Sequence, residues 1–366
     1  MTVAEILKQR LQNQLLVAST AQSPGQVVKR LLAVQAQDYL GSLWALGQRL
    51  PVSTEKTIED ALSNGTIIRT WPMRGTLHFV HAEDARWLVG FLAHRVLTKA
   101  RSTYKNAGLD DAVFKKCTQL VTKALQKESR LTRDELYQLL ERARISTADA
   151  RGLHITGYLA LKGLICFGPR KGKQQTFVLM DEWLRSTKTI TPVEVLPTLA
   201  LRYFEGHGPA TVQDFAWWSG LTLTESREAI TQSGTNLFSE KVNDEYYYTV
   251  DQQANEARLP EQQPVGKIND AHLLPGFDEF TVAYKDRSPV LSRDQQHRGS
   301  MEVLSPVVVI NGVVVGTWSR TLTKNGVQVR VKPFSKLSAT QLSKIKHRAI
   351  EYAHFVGSND AFVQLV

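Results

Sequence analysis

The chain has 366 residues, 45 Lys and Arg against 35 Asp and Glu, a net charge of +10 and 42% hydrophobic residues. That is too long for one ordinary core and reads as a soluble globular protein of two to four domains, and no apolar run reaches the ~18 residues of a membrane-spanning helix. The cationic excess suits a polyanionic partner, nucleic acid before an anionic membrane surface, while the two cysteines, Cys117 and Cys166, lie too far apart to make a metal site and point to a reducing cytosol.

Residues 1–10 read as the start of an amphipathic helix rather than a signal peptide. In 27–40, Val28, Leu31, Leu32 and Tyr39 form an apolar stripe at helical spacing, with Gln35 on that stripe. A buried amide must find partners or cost roughly 1–3 kcal/mol. On a helix running straight through, Gln37 falls about 200° further round and cannot share a face with Gln35. The two share a cleft if the helix ends near Gln37, with Asp38 as N-cap of a second helix over 39–46. Neutral amides are poor metal ligands and poor acid–base groups, but they hold water and read base edges well. Two ordinary glutamines, one of them satisfied in the core, is the plainer reading of spacing alone.

The pattern helix, helix, hairpin then occurs three times, the order of a winged helix-turn-helix unit. The first copy holds the glutamine segment, a helix after Ser53-Thr54 and a strand over 67–80 that Pro72 makes bent or an edge. Beyond Pro72, Arg74, Thr76 and His78 alternate onto one face, which lines a cleft or meets solvent. Residues 100–129 are a polar helical connector, in which Cys117 reads as inert.

The second copy starts at the capping box Thr132-x-x-Glu135, continues with a helix over 147–164 and ends in a hairpin whose turn, 168–173, carries Lys171 and Lys173. The third starts near Leu196. Thr211 caps a helix over 212–218, Thr224 caps another over 225–230, and Asn243-Asp244 joins two strands. Of Trp217 and Trp218, at least one must face the core, because adjacent helical residues diverge by about 100°.

Residues 259–265 read as a linker, and the last third is β-rich. Asp278-Glu279 follows an apolar loop; adjacent carboxylates more often cap or salt-bridge than catalyse. Asn311-Gly312 is a two-residue hairpin signal, Asn325-Gly326 precedes another strand, and a final helix opens on the capping box Ser338-x-x-Gln341 and stops at Gly357. The fold class expected is α+β, three tandem winged helix-turn-helix units on a common scaffold with a C-terminal β-rich part. Its segments are 1–100, 101–190, 191–258 and 259–366. No Walker loop, GxSxG, GxGxxG or metal-spaced His/Cys cluster occurs, so neither metal nor cofactor is expected.

Four stretches in order, 33–38 (with Gln35-Ala36-Gln37), 69–78, 273–280 and 315–318, resemble the AlkZ/YcaQ family of bacterial DNA glycosylases, and the resemblance covers nearly the whole chain. It implies three winged-helix units forming a C-shaped DNA cradle, and repair of alkylated bases and interstrand crosslinks. The family's Gln-aliphatic-Gln motif matches Gln35 and Gln37, which implies that these carry catalysis. Gln37 in place of an acidic residue resembles the AlkZ branch.

An N7-alkylated purine is cationic and its glycosidic bond is primed to break. The site then need only stabilise an oxocarbenium-like centre and place a water, which glutamine carbonyls can do. Arg69, Arg74 and His78 are candidate DNA-binding cleft residues near the lesion or phosphate. Lys171, Lys173, Lys285, Arg287 and Arg320 are candidate phosphate contacts, chosen for charge near turns and strand ends. The expected partner is double-stranded DNA with alkylated bases, met by a monomer in the bacterial cytoplasm and at the nucleoid when bound, with no membrane partner. The competing readings are a non-catalytic winged-helix transcription regulator, disfavoured by few Arg or Lys on helices 148–164 and 225–230, and a protein-interaction scaffold.

Overall fold

A computed structural model describes residues 1–184, 187–250, 270–292, 295 and 300–366; the expected linker 259–265 lies outside the described residues. The chain forms two compact units: the first is Met1–Glu59 with Leu196–Val366, the second Asp60–Val195.

The first unit is built on a five-stranded sheet, in the order Ala361–Leu365, Gly326–Pro333, Val313–Thr323, Val307–Ile310, Ala271–Leu274. The hairpin at Asn311-Gly312 is present, with both turn residues at positive φ (53° and 83°), the geometry a two-residue turn needs to match strand twist. Gly326–Pro333 pairs in parallel with Ala361–Leu365, and the crossover between them is the helix Ala339–Phe355, opened by the Ser338–Gln341 capping box. Tyr352 of this helix packs edge-on against Trp44 and Trp318, and both indoles donate to carbonyls of one strand, Trp44 to Leu273 and Trp318 to Leu274, each at 2.7 Å. These bonds fix the helix Tyr39–Gly47, which starts just after the glutamine pair. Leu7 and Leu11 of the helix Val3–Asn13 join Phe280, Val307, Val309 and Val314 in the core.

From Leu196 on, the third helix–helix–hairpin copy also belongs to this unit. Pro192–His207 is followed by Val212–Ser219, Leu223–Gln232 and the paired strands Leu237–Val242 and Glu245–Val250. Thr211 caps as expected, but the next cap is Thr222, not Thr224: the Glu225 carboxylate reaches back to the Thr222 amide at 2.8 Å and closes a capping box. Trp218 is buried and Trp217 is 43% exposed.

In the second unit the strands run in the order Thr76–His81, Ile67–Met73, Ile165–Lys171, Gln174–Leu179, Leu131–Thr132. The hairpins of the first and second copies thus share one sheet. The single strand expected over 67–80 is instead a hairpin that turns at Arg74-Gly75, both at positive φ. Its first strand has neighbours on both sides, so it is not an edge; Pro72, which has no N–H to give, sits where the ladder register is interrupted between Thr70 and Met73. The Thr132–Glu135 capping box opens the helix Arg133–Arg142, and the helix expected from 147 starts later, as Arg151–Leu161. The basic hairpin tip narrows to Gly172-Lys173, because its strands extend to Lys171 and from Gln174. The connector holds the helices Arg101–Asn106 and Asp111–Glu128. No helix among the described residues is long and apolar enough to cross a membrane.

Candidate active site

The helix that carries Val28 and Leu31 ends at Leu31, earlier than the apolar stripe implied, because Leu32 adopts φ 63° and the chain leaves as the short strand Ala33–Gln35. Gln35 therefore lies on no helix stripe. Ala33, Val34 and Ala36 are buried, and Asp38 caps Tyr39–Gly47 by accepting from the Gly41 amide.

The strand ends at Gln35 and the chain bends at Gln37 before the next helix. That brings the glutamines together: the Gln35 Nε2 donates to the Gln37 Oε1 at 2.9 Å. Gln37 is exposed and Gln35 only 8% so. The Gln35 Oε1 is buried with no hydrogen-bond partner. A buried acceptor left open costs about 1–3 kcal/mol.

The backbone around this amide is held by the acidic pair of the loop after Ala271–Leu274. The Asp278 carboxylate takes two hydrogen bonds from Arg49, at 2.7 and 2.8 Å, with both side chains fully buried, and it caps Glu279–Val282 through the Phe280 amide. Arg49 follows the helix that starts after the glutamine pair and also donates to the Gln14 and Ala45 carbonyls. Glu279, fully buried, accepts the Gln35 backbone N–H at 2.9 Å and the Trp218 indole N–H at 3.1 Å. Sequence reasoning weighed this pair toward capping and ion pairing, which describes Asp278 well. It missed that Glu279 meets the glutamine motif. Two carboxylates after an otherwise apolar loop were the available signal.

The other candidates occupy varied settings. In the first unit, Lys285 is exposed, Arg287 donates to the Thr281 carbonyl and lies 5.4 Å over Trp217, and Arg320 lies 5.4 Å over Tyr352. In the second, Arg69 is 7% exposed with its guanidinium 4.8 Å over Phe167. His78 is buried, within 3.3 Å of Arg74, with its Nδ1 2.9 Å from the Thr76 carbonyl. Arg74 stands in the turn rather than on an alternating strand face with Thr76 and His78. Lys171 spends its charge on Glu135 at 2.9 Å and holds that carboxyl down to about 2, whereas Lys173 is exposed at the tip. Burial pushes the Cys117 thiol up to about 11, against any nucleophilic use at neutral pH. Among the described residues no cluster of three His, Cys, Asp or Glu could hold a metal.

The family model described as DNA glycosylase AlkZ-like matches residues 28–355, which span both the glutamine motif and the acidic loop. The chain belongs to the AlkZ-like DNA glycosylase family. It is 26% identical to an interstrand DNA cross-link repair glycosylase of Streptomyces sahachiroi, over 99% of this chain and 98% of that one. The solved structure of the Streptomyces sahachiroi DNA glycosylase AlkZ matches it with a TM-score of 0.80 at 24% identity, covering all of both chains, so the α/β fold is shared throughout. A neutral amide carbonyl can accept a hydrogen bond from water or face positive charge without taking up a proton.

Proposed function

We propose that this AlkZ-like glycosylase hydrolyses the N-glycosidic bond of N7-alkylated purines in duplex DNA, and extends to unhooking interstrand crosslinks made through the same nitrogen. The observation that carries the proposal is the buried Gln35 Oε1 without a partner, in a side chain whose Nε2 is already committed to Gln37. That bond aims the Gln35 amide, leaving its oxygen as the free pole.

In the reaction, the bond between C1′ and N9 breaks, and its electron pair neutralises the cationic purine, which leaves without protonation. A water oxygen bonds to C1′, and its proton passes to solvent. Gln35 and Gln37 hold the water and stabilise the positive charge at C1′ while the bond is broken. Dipoles fixed before the reaction are worth a few kcal/mol in such a site, because nothing has to reorganise.

Phosphate contacts fall first to the exposed cations, Lys173 in the second unit and Lys285 in the first. Arg287 and Arg320, each lying over an aromatic ring, and Lys171, paired with Glu135, are secondary candidates. Arg69, Arg74 and His78 act by shaping the second unit's hairpin rather than by meeting phosphate. The enzyme works as a monomer in the bacterial cytoplasm. Two unpaired, buried cysteines support a reducing compartment.

The test is base release from a duplex with a single N7-methylguanine, scored as alkali-labile sites, for wild type, Gln35→Ala and Gln37→Ala. Release by wild type and a loss of ten-fold or more in either variant, about 1.4 kcal/mol of barrier, is the expected result. Binding without release from this or a bulkier N7 adduct would overturn it and favour a non-catalytic DNA-binding role.

A further inference from the structure

The Glu279 carboxylate is fully buried among polar groups. The Gln35 N–H donates to its Oε1, the Trp218 indole N–H donates to its Oε2, and the His207 Nε2 stands 3.3 Å from the same Oε2. The His207 Nδ1 lies 3.2 Å from the Tyr203 carbonyl oxygen, which can only accept, so Nδ1 carries a hydrogen. The His207 Nε2 makes no hydrogen bond of good geometry, so the ring packs beside the carboxylate rather than gripping it. A carboxyl group taken fully out of water and ringed by donors is costly to build, and a hydrophobic residue of similar volume is often as stable or more so. Stability alone does not account for Glu279.

Its place in the chain gives the account. The Gln35 amide would otherwise be a buried donor, and Glu279 ties it from 244 residues away in sequence. Asp278, its neighbour, grips Arg49 at the far end of Tyr39–Gly47. One acidic dipeptide thus clamps the chain both before and after the glutamine pair.

We propose that Glu279 is a positioning residue for the glycosylase reaction: its buried carboxylate, oriented by the Trp218 indole, fixes the Gln35 backbone so that the side-chain carbonyl of Gln35 points where the reacting water and C1′ must sit. This rests on the catalytic reading of Gln35. Displacing a catalytic group by about 1 Å can cost as much as a hundred-fold in rate while leaving substrate affinity untouched.

The experiment compares wild type, Glu279→Gln, Gln35→Ala and the double variant on the N7-methylguanine duplex. Single-turnover release, duplex Kd, melting temperature and the hydrogen exchange of the Gln35 amide are measured. For Glu279→Gln we expect release ten- to hundred-fold slower, Kd within two-fold of wild type and faster exchange at the Gln35 amide. The double variant should release no more slowly than Gln35→Ala alone, since a residue acting through Gln35 has nothing left to act on. Wild-type release by Glu279→Gln overturns the proposal, as does a double variant slower than Gln35→Ala by the full single-variant factor. A parallel collapse of release, Kd and melting temperature also overturns it, by showing a structural role only.

If Glu279→Gln does not fold, Trp218→Phe keeps the carboxylate and removes one donor. A three- to ten-fold slower release at unchanged Kd supports the proposal, and a wild-type rate overturns it. Should Gln35→Ala itself release at the wild-type rate, the catalytic reading of Gln35 fails. The amide exchange then reports separately whether Glu279 governs that backbone.

Discussion

The Gln35 strand of the first unit and the 67–81 hairpin of the second both carry polar side chains into buried positions, but they do so differently. Arg69 and His78 sit among near partners: a phenylalanine face for the guanidinium, a backbone carbonyl and Arg74 for the imidazole. Gln35 is held from two directions, through its amide nitrogen by Gln37 and through its backbone by Glu279, and its carbonyl oxygen is left open. A buried cation that finds an aromatic face and a ring that finds a carbonyl are accounted for by the fold itself. Under the proposed function the open Gln35 acceptor is the pole turned to substrate, although the Thr70 and Thr76 hydroxyls of the hairpin are also buried without a partner. Polarity and burial were common to both stretches, so neither property alone separated structure from chemistry.

The largest effect should come from the clamp behind the open carbonyl. Arg49→Met leaves Asp278 buried and unpaired, and a loss of about 3–5 kcal/mol is expected in thermal or urea unfolding. A variant as stable as wild type would mean that the clamp does not hold the Gln35 region.

Next comes the contrast itself. Gln35→Leu removes the open acceptor and should leave stability within ~1 kcal/mol of wild type, or raise it, while base release falls at least ten-fold. Arg69→Met should do the reverse: weaken the fold by about 0.5–2 kcal/mol through the lost ring contact, with duplex affinity and its salt dependence unchanged. If Arg69→Met instead lowered the salt slope, the hairpin would belong to the DNA interface and the contrast would break.

A third expectation concerns pH. Burial, with Arg348 nearby, lowers the pKa of His272 to about 3. The unfolded chain takes up this proton near 6.5 and the folded one does not until far lower, so the stability due to the neutral ring is complete above ~6.5 and is lost as pH falls toward 3. The slope should approach 1.4 kcal/mol per pH unit. In His272→Leu, unfolding measured between pH 7 and 4 should fall less steeply; an unchanged slope would show that the ring is protonated in the folded state.

The smallest effect is at the exposed tip. Lys173→Ala should reduce the slope of log Kobs against log salt by about 0.9 if one phosphate contact is lost, with no change in single-turnover release. A change in release at fixed occupancy would move Lys173 from the binding surface to the reaction.

The amino-acid sequence alone determined whatever is set within a few residues. The capping boxes at Thr132 and Ser338, the Asp38 cap, the Asn311-Gly312 turn and the helix–helix–hairpin order of the second and third copies were legible, because caps and turns are satisfied by neighbours in the chain. Gln35 and Gln37 were legible as a motif only through the ordered resemblance of four stretches, and 32–37 was misread as a continuation of the helix because a short apolar run fits either period.

Tertiary structure decided the rest. It put Ala33–Gln35 in extended form, merged two hairpins of the second unit into one sheet and made the strand expected to be bent or an edge an interior one with an interrupted register. Above all it brought Glu279 to the Gln35 amide across 244 residues. A buried carboxylate takes whichever donors packing delivers to it, and no spacing along the chain records which ones those will be.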